Sequence, residues 1–66
     1  MAIIKVIEVL ANSEKSWEDA TKQAIKHAGK TVKNIRSAWV ADQSVAIKDN
    51  EVTEFRVNLK ISFEIK

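Results

Sequence analysis

From residue 54 to residue 66 apolar and polar side chains alternate without a break. Phe55, Val57, Leu59, Ile61, Phe63 and Ile65 take one parity, and Glu54, Arg56, Asn58, Lys60, Ser62, Glu64 and Lys66 take the other. A period of two over this length predicts a half-buried strand across residues 51–66, with the odd positions facing a core. Residues 2–10, AIIKVIEVL, are rich in β-branched side chains, with charge only at Lys5 and Glu8. They predict a first strand, ended by Asn12 and Ser13. Between these segments the period changes. Trp17, Ala20, Thr21, Ala24, Ile25, Ala28, Thr31 and Val32 recur on one face of a 3.6-residue repeat, which predicts a helix from Ser16 to about Lys33. Ser16 caps its start, with Asp19 three residues on as a weaker capping box. Asn34 is placed to end it. Residues 35–48 alternate less cleanly, because neither parity is wholly apolar. They read as a strand covered on both faces, by the helix and by another subunit. Asp49-Asn50 supplies the turn of a hairpin to the last strand.

The order strand, helix, strand, strand predicts an α+β fold. A β–α crossover makes the first two strands parallel. Insertion of the third between them gives an all-antiparallel, three-stranded sheet. Size then changes the picture. Sixty-six residues form one domain, 1–66, whose single core is marginal. Fourteen residues of the last strand alone span about 46 Å at roughly 3.3 Å per residue, while the helix covers about 27 Å at roughly 1.5 Å per residue. With no cysteine to staple the chain, assembly with further copies is the remaining route to cover the sheet.

Charge narrows the function classes. Eleven basic and nine acidic residues leave a net charge of +2, an ordinary surface that argues against nucleic-acid binding. No apolar run is long enough to span a membrane, and no leader is expected at the start, so the cytoplasm is the default location. His27 lies off the centre of the helix stripe and reads as an ordinary, partly exposed histidine. Lys22, Lys26, Lys30 and Lys33 form a basic ridge, either a solvated helix face or a patch for anions. No base stands beside a nucleophile and no glycine-rich loop is present, so no catalytic residue is assigned and an enzyme is not expected. Trp17 reads as a core anchor. Trp39 reads as packing or as a surface for an interface or a stacked ligand. Asp42 offers one hard oxygen for a divalent cation, which gains force only when symmetry gathers copies of it.

Five stretches taken together carry a resemblance. They are the first strand; S-E-K-S-W-E-D-A over residues 13–20; K-T-V-K-N-I over residues 30–35; A-x-V-x-D-Q-x-V-x-I over residues 38–47; and F-R-V-x-L-x-I-S-F over residues 55–63. This pattern resembles the dodecin family across nearly the whole chain. The resemblance implies a β-α-β-β fold whose three-stranded antiparallel sheet wraps around one helix. It also implies a homododecamer, a hollow shell of 23 symmetry that binds or stores a small ligand. In flavin-binding dodecins the flavin (FMN, riboflavin or FAD) stacks on a Trp early in strand 2 and hydrogen-bonds a Gln in strand 3. Here those positions hold Ser37 and Arg56. Two Arg positions of bacterial flavin binders hold Ser44 and Glu64. Trp39, two residues beyond Ser37, is the substitute platform. The substitutions resemble the non-flavin branch, the calcium dodecins, which lack the Trp and carry an Arg in strand 3. The Asp42-Gln43 pair resembles the same dipeptide in archaeal-type dodecins. Two functions follow from the resemblance: a shell that stores a small ligand, with Ser37, Trp39, Ser44 and Arg56 at the pocket, or a structural or cation-binding shell centred on Asp42.

Overall fold

The computed structural model describes residues 2–66. Strand β1 (Ile3–Ser13), helix α1 (Trp17–Ala28), strand β2 (Ile35–Lys48) and strand β3 (Glu51–Ile65) follow in that order. The sheet order is β1-β3-β2, with both pairings antiparallel. The central position of β3 follows from its alternation. It is the strand best able to serve two neighbours while presenting one apolar face.

Two predicted boundaries move. β1 continues past Leu10, because Ala11, Asn12 and Ser13 pair with Val57, Arg56 and Phe55. Ladder pairing outweighs the poor strand preference of Asn and Ala. α1 stops at Ala28 instead of about Lys33. Gly29 and the β-branched Thr31 and Val32 are weak helix formers. The chain instead leaves in tight turns, with Lys30 N–H donating to His27 O at 3.1 Å and Val32 N–H to Ala28 O at 2.9 Å. Asn34, at φ 62°, takes the left-handed conformation and launches β2. At the other end Ser16 caps α1, its Oγ accepting from Asp19 N–H at 2.9 Å. The Asp19 carboxylate turns to Ser13, whose Oγ donates to Oδ2 at 2.6 Å. This contact ties the end of β1 to the start of the helix.

The core is small. Ala20 and Ala24 of α1 meet Val57, Leu59 and Ile61 of β3, with Ile7, Val9 and Ala11 of β1 packed around them. Small alanines let the helix approach the sheet closely. Trp17 anchors one end, edge-on to Phe55 with ring centroids 5.1 Å apart and its indole N–H donating to Ser44 O at 3.0 Å. α1 thus lies over β1 and β3. The expectation that it also covers β2 fails, since β2 is exposed along most of its length. The hairpin turn has positive φ at both Asp49 (53°) and Asn50 (64°), the conformation that matches strand twist in two-residue hairpins. Beyond Phe55, the last residue paired with β1, the hairpin continues as two strands alone.

Candidate functional site

The mixed parity of β2 has a structural cause. Its pairing with β3 is irregular at three places, leaving Arg36, Ala41 and Thr53 without partners in the ladder. Each bulge inserts one residue and exchanges the faces beyond it. Between the irregularities at Thr53 and Ala41 the even residues Asp42 and Ser44 turn away from α1. Beyond Ala41 the odd residues Trp39 and Ser37 do so. Paired residues share a face, so the outer face of the sheet consists of rows across β1, β3 and β2. These are Val6, Ser62 and Ser37; Glu8, Lys60 and Trp39; Leu10, Asn58 and Asp42; Asn12, Arg56 and Ser44. All five residues singled out from the sequence therefore lie on one face.

They do not form one cluster. Asp42, Ser44 and Arg56 line a groove of about 410 Å³ together with Leu10, Asn12 and Asn58. Ser37 lies opposite Ser62, six residues along β3 from Arg56, which is about 20 Å at roughly 3.3 Å per residue. There the Ser37 and Ser62 hydroxyls share a 2.6 Å hydrogen bond. Arg36 donates from Nη2 and Nε to Glu64 Oε1 at 2.8 and 3.2 Å. The position that would carry a stacking ring is thus occupied by small hydroxyls bonded to each other, with an ion pair alongside. Trp39 sits between the two regions, opposite Lys60 and 47% exposed.

Within the groove the donor set is oxygen-rich. Asp42 pairs with Asn58, and the Asn58 Oδ1 is buried without a hydrogen-bond partner. A buried amide oxygen in that state costs free energy until a proton donor or a cation reaches it. Ser44 adds a hydroxyl. Arg56 lies at the far side, its Nε 3.9 Å from Glu54 Oε2, too long for a hydrogen bond. These oxygens suit a hard cation, although no three His, Cys, Asp or Glu side chains gather among the described residues. A flavin fits poorly. Ser37 offers no ring, and a guanidinium donates hydrogen bonds but cannot accept them. Asn58, Asn12 and Leu10 were missed from sequence. Counting back from the hairpin turn places Val57 opposite Asp42, and only the bulge at Thr53 brings Asn58 there.

Comparison with known proteins agrees with this architecture. The dodecin family model matches residues 3–66. The calcium dodecin of Mycobacterium tuberculosis is 33% identical over 66 residues, covering 100% of this chain and 93% of that protein. Its crystal structure, described as a calcium-chelating antigen with a novel calcium-binding site, superposes with a TM-score of 0.84 at 33% identity over 97% of this chain and 91% of that one. A mutant dodecin from T. thermophilus gives a TM-score of 0.94 at 26% identity, over 100% of this chain and 98% of that one. With the family model spanning all but the first two residues, and the β-α-β-β order and sheet topology those relatives lead one to expect, the chain belongs to the dodecin family.

Proposed function

We propose that this protein is a cation-binding, non-catalytic shell. All 66 residues act as one domain, copies assemble into a homododecamer of 23 symmetry, and the ion is held at Asp42. The observation that carries the ion site is the unpartnered Asn58 Oδ1 beside Asp42 on the outer face. Calcium takes six to eight oxygens. One chain offers the Asp42 carboxylate, the Asn58 amide oxygen and the Ser44 hydroxyl, so water or a symmetry-related copy completes the shell of ligands. The calcium chelation described for the M. tuberculosis relative supports a divalent cation as the ligand class.

Assembly is supported by the apolar surface a single chain leaves open. Leu10 is 78% exposed, and Ile3, Ile4, Val6 and Ile65 are about half exposed at the opposite end of the sheet. So large an apolar area on so small a chain marks contact surfaces. Native mass spectrometry is expected to give twelve subunits at micromolar concentration, and a stable monomer there would sink the proposal. Calcium and magnesium titrations by calorimetry are expected to show binding heat that weakens at least about tenfold in Asp42→Ala, a change of roughly 1.4 kcal/mol or more. Equal affinities in the two proteins would exclude Asp42. Flavin storage remains the second reading, favoured by Trp39 as an exposed ring on the same face; its test is in the Discussion.

A further inference from the structure

An arginine beside a cation site needs a reason to stay off the carboxylate. Arg56 and Asp42 line the same groove. Arg56 pairs with Ser44 across the sheet, and Asp42 lies two residues before Ser44 on β2, opposite Asn58. Such diagonal neighbours are about 7–8 Å apart, within reach of a long side chain. A guanidinium that closed on Asp42 would take both carboxylate oxygens in a bidentate pair and neutralise the charge an ion needs. Among the described residues, however, no basic side chain pairs with Asp42.

Glu54 supplies the reason. It lies on the same outer face, opposite Ala46 and two residues before Arg56 on β3, about 7 Å along the strand at roughly 3.3 Å per residue. Arg56 thus stands between two carboxylates, with Glu54 on one side and Asp42 on the other. It leans to Glu54, its Nε 3.9 Å from Oε2. That oxygen is buried and has no hydrogen-bond partner, so a positive charge beside it offsets part of the cost of burying it. The Arg56 side chain is 54% exposed, and the contact is too long for a hydrogen bond. The guanidinium is therefore held by charge and is free to exchange one carboxylate for the other.

We propose that Glu54 is a positioning residue of the ion site. It holds Arg56 back from Asp42 and so leaves the Asp42 carboxylate open to a divalent cation. Without the Glu54 charge, Arg56 swings across and competes with the ion. Arg56 also limits affinity from where it stands, because its positive charge stays in the groove.

This inference rests on the reading that Asp42 holds the ion, and adds the device that keeps the site open. The test is calcium calorimetry on the assembled wild type, Glu54→Gln, Arg56→Gln and the double variant. Glutamine keeps the shape of Glu54 and removes its charge. Glu54→Gln is expected to weaken calcium binding about three- to fivefold, the size of an exposed ion pair. Arg56→Gln is expected to tighten it roughly tenfold, since a like charge leaves the groove. The double variant is expected to bind as tightly as Arg56→Gln alone, because Glu54 then has nothing to hold. Equal weakening by Glu54→Gln in both backgrounds would mean that its charge acts on the ion directly, which overturns the proposal. A Glu54→Gln protein that binds calcium like the wild type overturns it too. In either case loss of binding in Asp42→Ala leaves the ion site standing. An Asp42→Ala protein that binds like the wild type overturns the ion site, and this inference with it.

Discussion

Leu59→Asp is expected to leave no folded, assembled protein. Leu59 is fully buried on the central strand, between Val57 and Ile61 and beneath Ala20 and Ala24. Removing a buried leucine side chain alone costs about 2–5 kcal/mol. The carboxyl that replaces it has no partner there. Even after taking up a proton it remains an unsatisfied polar group, worth about 1–3 kcal/mol more. A core in a chain of this size supplies only about 3–5 kcal/mol of net stability, so the loss matches or exceeds what is available. Lys60→Asp is the control. Lys60 is on the outer face, between Glu8 and Trp39, where a second carboxylate opposite Glu8 costs up to about 1 kcal/mol. Circular dichroism with thermal melting should show Leu59→Asp unfolded and Lys60→Asp folded. The reverse result would mean that the faces of β3 are assigned backwards.

The contrast between β3 and β2 explains what could be read from the chain. β3 has one face on the core and one outside, and it pairs with β1 in unbroken register from Ile3 to Ser13. Its burial follows its alternation from Arg56 to Ile61, and Ser62, buried on the outer face by its pairing with Ser37, is the exception. β2 is an edge strand outside the cover of α1. Bulges at Arg36 and Ala41, with a third opposite it at Thr53, break the period of two that sequence reading depends on. The mixed parities were a true signal of changes of face along β2, and α1 does not cover the strand. The end of α1 was overrun for a related reason. Thr31 and Val32 keep the helical spacing of apolar residues while the backbone has already left the helix after Gly29. The site was legible in part. Asp42, Ser44 and Arg56 do converge on one groove, but Asn58 was hidden by a one-residue slip that leaves no mark in the composition.

The same geometry decides what would be needed to bind flavin. Riboflavin fluorescence is expected to be quenched little by the wild type, and the double change Ser37→Trp with Arg56→Gln is expected to restore quenching. A tryptophan at position 37 returns a surface for stacking, worth about 0.5–1.5 kcal/mol per aromatic pair beyond the buried area. A glutamine at position 56 returns an amide that both donates and accepts, worth about 0.5–1.5 kcal/mol for a hydrogen bond. Together, about 1–3 kcal/mol corresponds to roughly 5- to 150-fold in affinity. Some cost is set against this. Ser37→Trp removes the hydroxyl bonded to Ser62 and leaves the nearly buried Ser62 Oγ only a 3.4 Å contact with the Ser37 carbonyl. Positions 37 and 56 lie about 20 Å apart within one chain at roughly 3.3 Å per strand residue, farther than one ring system reaches. A single flavin can meet both only when they come from two copies. Restoration is therefore expected in the assembled double variant and not in a monomeric form of it, and each single change should do less. A wild type that quenches riboflavin at sub-micromolar concentration would contradict this account. Trp39→Phe would then show whether the exposed indole opposite Lys60 supplies the stacking surface.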